Sequence, residues 1–171
     1  VGDPCVALIG SGGKTTALFQ LARQLAPPVI LSTTTHLGIS QARQADQHVI
    51  VRSSEDLDRI AGSIAPVVIL ITGPTTQEGR LAGLPSDMMQ ILYNITREKN
   101  IPLLIEADGS RQRPLKAPGD HEPLIPSFVD VVVLVAGLSG FGKPLSSDWV
   151  HRPERFAEIS GLPEGELITS D

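Results

Sequence analysis

Apolar residues in this chain fall into short, β-branched runs, and the stretches between the runs carry apolar residues at helical spacing. Strands that helices bury on both faces lack polar alternation, so the runs predict strands of a parallel sheet. The predicted strands cover residues 5–9, 29–32, 48–51, 67–71, 101–105 and 131–135. Helices are predicted over 15–26 and 153–160, and after the helix-start signals at Ser53 and Ser86.

The alternation of strands and helices predicts a single domain of the α/β class, with a three-layer α/β/α arrangement around a mostly parallel sheet. Ligands bind such sheets beyond the carboxyl ends of the strands. The polar and glycine-rich segments of this sequence follow its predicted strands, at residues 10–16, 33–36, 73–83, 106–113 and 137–143. The candidate site is therefore expected at the carboxyl edge of the sheet.

The first of these segments has the composition of a phosphate-binding loop. Residues 8–16 read Leu-Ile-Gly-Ser-Gly-Gly-Lys-Thr-Thr at a predicted strand-to-helix junction. Glycines let backbone N–H groups approach phosphate oxygens, and the helix that follows adds its N-terminal dipole. In such loops the lysine, here Lys14, reaches the β- and γ-phosphates, and the hydroxyl of Thr15 reaches Mg²⁺. The predicted nucleotide-binding residues are Gly10, Ser11, Gly12, Gly13, Lys14, Thr15 and Thr16.

This loop is shorter than the common P-loop. The common pattern needs a glycine six positions before Lys14, where this chain has Leu8. The spacing that remains is Gly-x-x-Gly-Lys-Thr, as in the phosphate loop of Mur-type ATP-dependent ligases. The alternative is a glycine-rich turn with a solvated lysine, which is disfavoured because Gly-Lys-Thr-Thr stands at a strand-to-helix junction.

Two acidic residues follow the apolar run 101–105. Glu106 stands at the strand end and Asp108 two residues later, where a phosphate-loop enzyme holds Mg²⁺ or orients a water molecule. Two nearby carboxylates can divide the work, one ionised on the metal and the other acting as a base. A solvated Asp-Gly turn is the structural alternative. We predict Lys14, Glu106 and Asp108 as the catalytic residues.

Three threonines and a histidine follow the second predicted strand, at residues 33–36. The hydroxyls suit a metal or γ-phosphate contact of the kind that a switch loop makes, and equally the β-propensity of threonine at a strand end. We assign Thr34 to the metal, together with Thr15 and Glu106. A single histidine such as His36 is more typical of a hydrogen-bonded loop residue than of a metal ligand, and we assign it to the substrate.

The segment 108–126 is too long, and too rich in charge and proline, for a plain connection. Arg111 and Lys116 offer contacts to an anion, and His121 with Glu122 offers an acid–base pair. These four residues and His36 are the predicted substrate-binding residues.

The composition narrows the class of protein further. The 171 residues include 14 Lys and Arg against 19 Asp and Glu, a net charge of −5 with no basic run, which argues against nucleic-acid binding. No apolar run is long enough to span a bilayer, and a single cysteine excludes an internal disulfide. These features predict a cytoplasmic protein. The sequence lacks an initial Met and ends on a helix-start signal, so we expect a longer chain that continues beyond residue 171.

With these segments identified, the sequence resembles the YqeC family, described as accessory proteins of selenium-dependent molybdenum hydroxylases. The matching segments run in the family's order through most of the chain, at residues 10–16, 33–36, 106–111, 114–118, 121–123 and 151–154. The resemblance implies a P-loop NTPase-like fold and a role in maturing a selenium- or molybdenum-containing cofactor. It also implies a further C-terminal segment that this sequence lacks.

The leading hypothesis is a Mg²⁺-dependent nucleoside triphosphate-binding protein, an NTPase or a nucleotide-using transferase in maturation of that cofactor. ATP or GTP with Mg²⁺ would be bound, and a molybdenum hydroxylase or a cofactor-biosynthesis protein would be the partner. One alternative is an ATP-dependent small-molecule ligase or kinase of Mur-like type. The other is a non-catalytic chaperone or scaffold switched by nucleotide. The sequence leaves the nucleotide base and the second substrate open.

Overall fold

The computed structural model describes residues 3–170, which form short strands and helices in alternation. In chain order these are β1 (Cys5–Gly10), α1 (Lys14–Ala22), β2 (Val29–Thr33), β3 (Leu37–Gly38), α2 (Ile39–Ala42), β4 (Gln47–Ile50), α3 (Ser54–Ala61), β5 (Val68–Thr72), β6 (Arg80–Leu81), α4 (Ser86–Glu98), β7 (Leu103–Glu106), β8 (Leu115–Lys116), β9 (Val131–Val135), β10 (Val150–His151) and α5 (Pro153–Ser160). A short 3₁₀ helix, Leu138–Gly140, lies between β9 and β10.

Six strands form one sheet in the order β4-β5-β2-β7-β1-β9, and each neighbouring pair is parallel. β1 lies between β7 and β9, with Leu8 opposite Glu106 and Gly10 opposite Val135. β7 pairs on its other side with β2, where Thr33 lies opposite Glu106. The segments that follow β1, β7 and β2 therefore leave the sheet side by side, at its carboxyl edge.

Helices cover both faces of the sheet. On one face, α1 buries Leu18, Phe19 and Ala22 against strand residues. On the other face, α3 and α4 pack through Leu57 and Met89. The sequence prediction of an α/β class with a mostly parallel sheet is confirmed, and the layering is compatible with a three-layer α/β/α fold. Within residues 3–170, no helix is long and apolar enough to cross a membrane.

Helix α1 is shorter than the sequence predicts. It ends at Ala22 instead of residue 26, and tight turns follow, in which the N–H groups of Gln24 and Leu25 bond three residues back. Pro27 and Pro28 explain only why no helix continues past residue 26, because a proline cannot donate a helical hydrogen bond and disfavours helical geometry in the residue before it. The prediction was wrong about the end of the helix and right about its start.

Strand β9 is not buried on both faces, as its apolar run predicted. Its residues Val131, Val132, Val133 and Leu134 are 45, 47, 38 and 73% exposed. The reason is its position, since β9 is an outer strand of the sheet and pairs there only with β1 among residues 3–170. An apolar run indicates a strand, but it does not distinguish a central strand from an edge.

A third apolar cluster lies apart from the two sheet faces, around β8 and β10. These two strands pair in parallel, and the cluster buries Leu115, Leu145, Val150 and Ile168. Helix α5 packs on it through Phe156 and Ala157. The cluster anchors the long segment after β7, which returns past the loop that follows β1.

Candidate functional site

The loop between β1 and α1 has the backbone geometry of an anion-binding site. Gly10, Gly12 and Gly13 have φ angles of +94, +64 and +115°, a left-handed geometry that glycine adopts without strain. Helix α1 begins directly afterwards at Lys14, and the first N–H groups of a helix have no partner within the helix. Its first turn carries no acidic residue. Backbone donors and the positive end of the helix dipole therefore meet at one point.

This loop is braced by the second half of the chain. The Ser11 N–H donates to the Val135 carbonyl at 2.7 Å, and the Ser11 hydroxyl donates to the Pro114 carbonyl at 2.9 Å. Gly12 packs so closely on this wall that an added Cβ would lie 2.5 Å from the Cα of Gly137. The glycine at position 12 is thus required by contact as well as by its φ angle.

Lys14 and Asp108, two of the three predicted catalytic residues, form a buried pair beside the loop. Nζ of Lys14 donates to the Gly10 carbonyl at 2.7 Å and lies 3.1 Å from Oδ1 of Asp108. The other carboxylate oxygen, Oδ2, accepts the Gly10 N–H at 3.0 Å. The Asp108 side chain therefore contacts the loop twice, at the backbone of Gly10 and at the side chain of Lys14.

Glu106, the third predicted catalytic residue, contacts the first turn of α1. Oε2 accepts a hydrogen bond from the Thr15 hydroxyl at 2.7 Å. Burial raises the pKa of the Glu106 carboxyl, and the hydrogen bond from Thr15 and the charge of Lys14 offset this only in part. A carboxylate that is short of favourable partners gains from a bound cation.

The donors at this point fit Mg²⁺. This ion prefers oxygen ligands and is often held by one or two carboxylates together with substrate phosphates. The Thr15 hydroxyl and the Glu106 carboxylate are such donors, and they lie beside the N-terminus of α1. Within the part of the chain that the structure describes, no group of three or more His, Cys, Asp or Glu residues is placed to hold a metal by itself. The chemistry thus suits an ion shared with a bound phosphate.

A cavity of about 610 Å³ opens over these residues. Such a volume is within the range of small-molecule and nucleotide pockets. Its lining includes the loop and first turn from Gly12 to Thr16, together with Glu106. The remaining lining residues are Thr35, His36, Gly38, Gln41, Arg80, Gly109, Ser110, Arg111 and Gln112. Nη2 of Arg80 donates to the His36 carbonyl at 2.6 Å, which joins two segments of the wall.

The turn that carries Arg111 into this wall is strained. Arg111 and Gln112 have φ angles of +48 and +63°, and the Arg113 N–H donates to the Ser110 carbonyl. Two central residues with positive φ define a type I′ turn, which favours glycine or asparagine. Strain of this kind concentrates at functional sites, where surrounding structure maintains it.

A known protein family matches most of this chain. The family described as "YqeC protein" matches residues 6–154. The chain belongs to the YqeC family. It is 35% identical over 170 residues to a protein of Escherichia coli (strain K12) named "Uncharacterized protein YqeC", covering 97% of this chain and 64% of that protein. The chain thus spans 64% of the length of the curated relative that it matches. No solved structure matches the chain.

In this YqeC-family chain, Thr34 lies away from the predicted metal ligands. It lines a second cavity of about 430 Å³, and its hydroxyl is 3.4 Å from the Leu124 carbonyl. The neighbouring Thr35 lines the first cavity instead. The two threonines are adjacent in the bend that follows β2, and they line different cavities. The structure thus brings Thr15 and Glu106 together in the first cavity. Thr35 lines that cavity with them, whereas Thr34 lines the second.

Three of the predicted substrate-binding residues are outside the lining of the first cavity. Lys116 is buried in ion pairs with Asp108 and Glu122. Glu122 pairs in turn with Arg152 through two hydrogen bonds, and Arg152 lowers the pKa of the Glu122 carboxyl to about 2, with help from Lys116. His121 is exposed. The structure places only His36 and Arg111 of the predicted substrate-binding set in the cavity wall.

The sequence prediction also missed residues of the wall. Arg80, Gln41, Ser110, Gln112 and Thr35 line the cavity without having been assigned to it. Arg80 lies within the segment 73–83 that follows β5, so the rule that ligands bind beyond strand ends could have identified it. Gln41 lies on the short helix α2, which no periodic pattern in the sequence indicates.

Proposed function

We propose that this YqeC-family chain binds a nucleoside triphosphate with Mg²⁺, and that it hydrolyses or transfers part of the nucleotide during maturation of a selenium- or molybdenum-containing hydroxylase cofactor. The observation that carries the proposal is the meeting of the glycine loop, Lys14 and the Thr15–Glu106 pair at the N-terminus of α1. The fold would then be of the P-loop NTPase-like kind, with a short loop as in Mur-type ligases.

The phosphates would bind along the backbone from Gly10 to Thr16. The free N–H groups of the first turn of α1 and the Lys14 ammonium supply positive charge at this point. Arg111 and Arg80 add two further cationic side chains to the cavity lining. A triphosphate suits this lining better than a monophosphate, because it carries more negative charge for the three cationic side chains to offset.

Thr15 and Glu106 would hold Mg²⁺, directly or through water, and the ion would neutralise charge on the β- and γ-oxygens. Burial raises the pKa of Glu106, so its carboxylate gains a partner when a cation arrives. The same carboxylate lies in the cavity and could orient a water molecule for hydrolysis. Asp108 is absent from the cavity lining and is ion-paired to two lysines, so we assign it to positioning Lys14.

ATP or GTP is the nucleotide that we propose, and the cytoplasm is the location that we propose for the protein. His36 and Arg111 would face the second substrate from the cavity wall. The partner would be a molybdenum hydroxylase or a protein of cofactor biosynthesis, as the family resemblance implies.

The proposal is tested by titrating the chain with ATP, GTP and CTP, in the presence and absence of Mg²⁺. Lys14→Ala should weaken binding of all three, because it removes the charge beside the loop. Thr15→Val, which is nearly isosteric, should abolish the benefit of Mg²⁺ while leaving metal-free binding in place. Lys99→Ala, a change at the exposed C-terminus of α4, is the control. Equal binding by wild type and Lys14→Ala would refute the phosphate-loop assignment.

A second candidate function is phosphoryl transfer or ligation to a small acceptor, and the second cavity favours it. That cavity adjoins the segment after β2, with Thr34 on its side and Thr35 on the side of the first cavity. Its lining carries no charged residue. Phosphate release that needs an added uncharged acceptor would favour this function, whereas release from nucleotide alone would favour an NTPase.

A further inference from the structure

Five side chains of alternating charge run from the phosphate loop to the start of α5. In order they are Lys14, Asp108, Lys116, Glu122 and Arg152, and we call them the ion chain. The contacts between neighbours are 3.1, 3.0, 2.9 and 2.8 Å long. The ion chain therefore connects the site to the separate apolar cluster around β8, β10 and α5.

Asp108 competes with any bound phosphate for the charge of Lys14. The side chains of Lys14 and Asp108 are only 4% and 3% exposed, so water screens their attraction weakly. The contact from Nζ to Oδ1 is close, yet Oδ1 has no aligned hydrogen-bond donor among residues 3–170. The attraction is therefore mainly Coulombic, and another cation near the carboxylate can balance it.

Lys116 is that other cation. Its Nζ lies 3.0 Å from Oδ2 of Asp108, and its side chain is 3% exposed. It is held in place by hydrogen bonds to the Gly109 carbonyl at 2.8 Å and to Glu122 at 2.9 Å. Lys116 itself does not line the cavity. A buried lysine in this position affects the phosphate site through Asp108.

We propose that Lys116 is a positioning residue for nucleotide binding, which neutralises Asp108 so that Lys14 offers its charge to the phosphates. This inference rests on the proposed function. Without Lys116, a phosphate could gain the charge of Lys14 only by leaving a buried carboxylate uncompensated, which is among the costliest arrangements in a protein interior. Glu122 and Arg152 contribute by holding the Lys116 ammonium against Asp108.

The test is the dissociation constant of Mg·ATP, and of Mg·GTP, for a set of variants of the 171-residue chain. Lys116→Met should weaken binding on the order of a hundredfold, although the residue does not contact the cavity. It leaves Glu122 paired with Arg152, so the rest of the ion chain remains. Lys116→Arg keeps the charge and should restore most of the affinity. Lys99→Met, on an exposed lysine remote from the ion chain, should bind as wild type.

A double variant separates positioning from folding. Asp108→Asn combined with Lys116→Met removes both charges, and the new amide can still accept the Gly10 N–H. Lys14 then has no ion-paired carboxylate, so binding should recover towards the wild-type value. The double variant contains no uncompensated buried charge at position 108, so it remains informative if Lys116→Met alone does not fold. Thermal denaturation of each variant accompanies the titrations.

The outcomes are distinct. If Lys14→Ala weakens binding and Lys116→Met does not, the inference is wrong and the proposed function stands. If Lys116→Met folds and the double variant binds nucleotide no better than it does, Lys116 acts only through the fold and the inference is wrong. The same conclusion holds if Lys116→Met is unfolded and the double variant binds nucleotide poorly. If wild type does not bind nucleotide, or Lys14→Ala binds as wild type, the proposed function fails and the inference fails with it.

Discussion

Replacing Gly12 with alanine tests whether the phosphate loop depends on the wall behind it. A Cβ at this position would lie 2.5 Å from the Gly137 Cα and 2.6 Å from the Pro114 carbonyl oxygen. Both neighbours are backbone atoms, so neither can rotate away. Gly142 is the matched control, because its φ of +70° is close to the +64° of Gly12 and an added Cβ there meets nothing within 4 Å.

The expected magnitudes follow from this difference. A left-handed φ costs an alanine roughly 1 kcal/mol, and this cost applies to both variants. Forcing the backbone apart at Gly12 adds about 1–3 kcal/mol. Gly142→Ala should therefore lose about 1 kcal/mol and Gly12→Ala about 2–4 kcal/mol of the free energy of unfolding, equivalent to a fall in Tm of roughly 5–15 °C for Gly12→Ala in a chain of this size.

Urea denaturation followed by circular dichroism measures both losses, and fluorescence of Trp149, the single tryptophan, gives a second probe. Gly12→Ala should also lose nucleotide binding, whereas Gly142→Ala should retain it. Equal destabilisation of the two variants would refute the reasoning, because the close contacts with the backbone of Gly137 and Pro114 would then add no free-energy cost.

Three further predictions concern single side chains. Glu106→Gln should stabilise the chain at neutral pH, because burial raises the pKa of this carboxyl above its usual 4.5. Wild-type stability should fall as the pH rises from 4.5 through that raised pKa, and Glu106→Gln should lack this fall. The same fall in the variant, measured by urea titration, would contradict the reasoning. Arg152, followed by Lys116, lowers the Glu122 pKa from 4.5 to about 2, so the stability that Glu122 contributes is present above pH 4.5 and is lost as the pH falls through about 2. Glu122→Gln should flatten this acid limb in thermal denaturation, and an unchanged limb would count against the ion chain. Gln112→Gly should stabilise the chain by about 1 kcal/mol, because φ at this position is +63°; a loss in urea denaturation would show that the side chain matters more than the strain.

One rule of parallel sheets is enough to predict that Lys14, Glu106 and Asp108 lie near one another at the edge of the sheet. Lys14 follows β1, Glu106 ends β7, and Asp108 follows β7. These two strands are neighbours, so their carboxyl ends bring the three side chains together. The rule needs only the strand pattern, which is strong in this chain. It does not give strand order, so the sequence could suggest the contact of Thr15 with Glu106 but could not establish it.

The positions of Lys116 and Glu122 depend on long-range pairing that the sequence does not reveal. Lys116 and Glu122 resembled substrate-binding residues, since both are polar and lie in a long loop. Their partner Arg152 lies 30 residues after Glu122 and is brought close by the pairing of β8 with β10. Each of these strands has two residues, which is too short for any periodicity to indicate.

Thr34 and Thr35 line different cavities for a local reason. Both lie in the bend after β2 and not in the strand, so strand alternation does not decide which side chain enters the first cavity. Which of them faces the phosphate loop depends on the register of β2 against β7, where Thr33 lies opposite Glu106. Without that register the sequence predicts only that one of the two hydroxyls is near the site.

The bracing of the phosphate loop also affects the order in which the chain folds. Ser11 bonds the carbonyls of Pro114 and Val135, so its partners are synthesised more than a hundred residues after it. Contacts between such distant residues form slowly, because a long segment must be ordered first. A ribosome-bound chain can complete α1 early, yet the glycine loop has no wall until β9 has emerged and paired with β1. The most chemically distinctive segment of the sequence is thus made well before the strand and loop that fix its final shape.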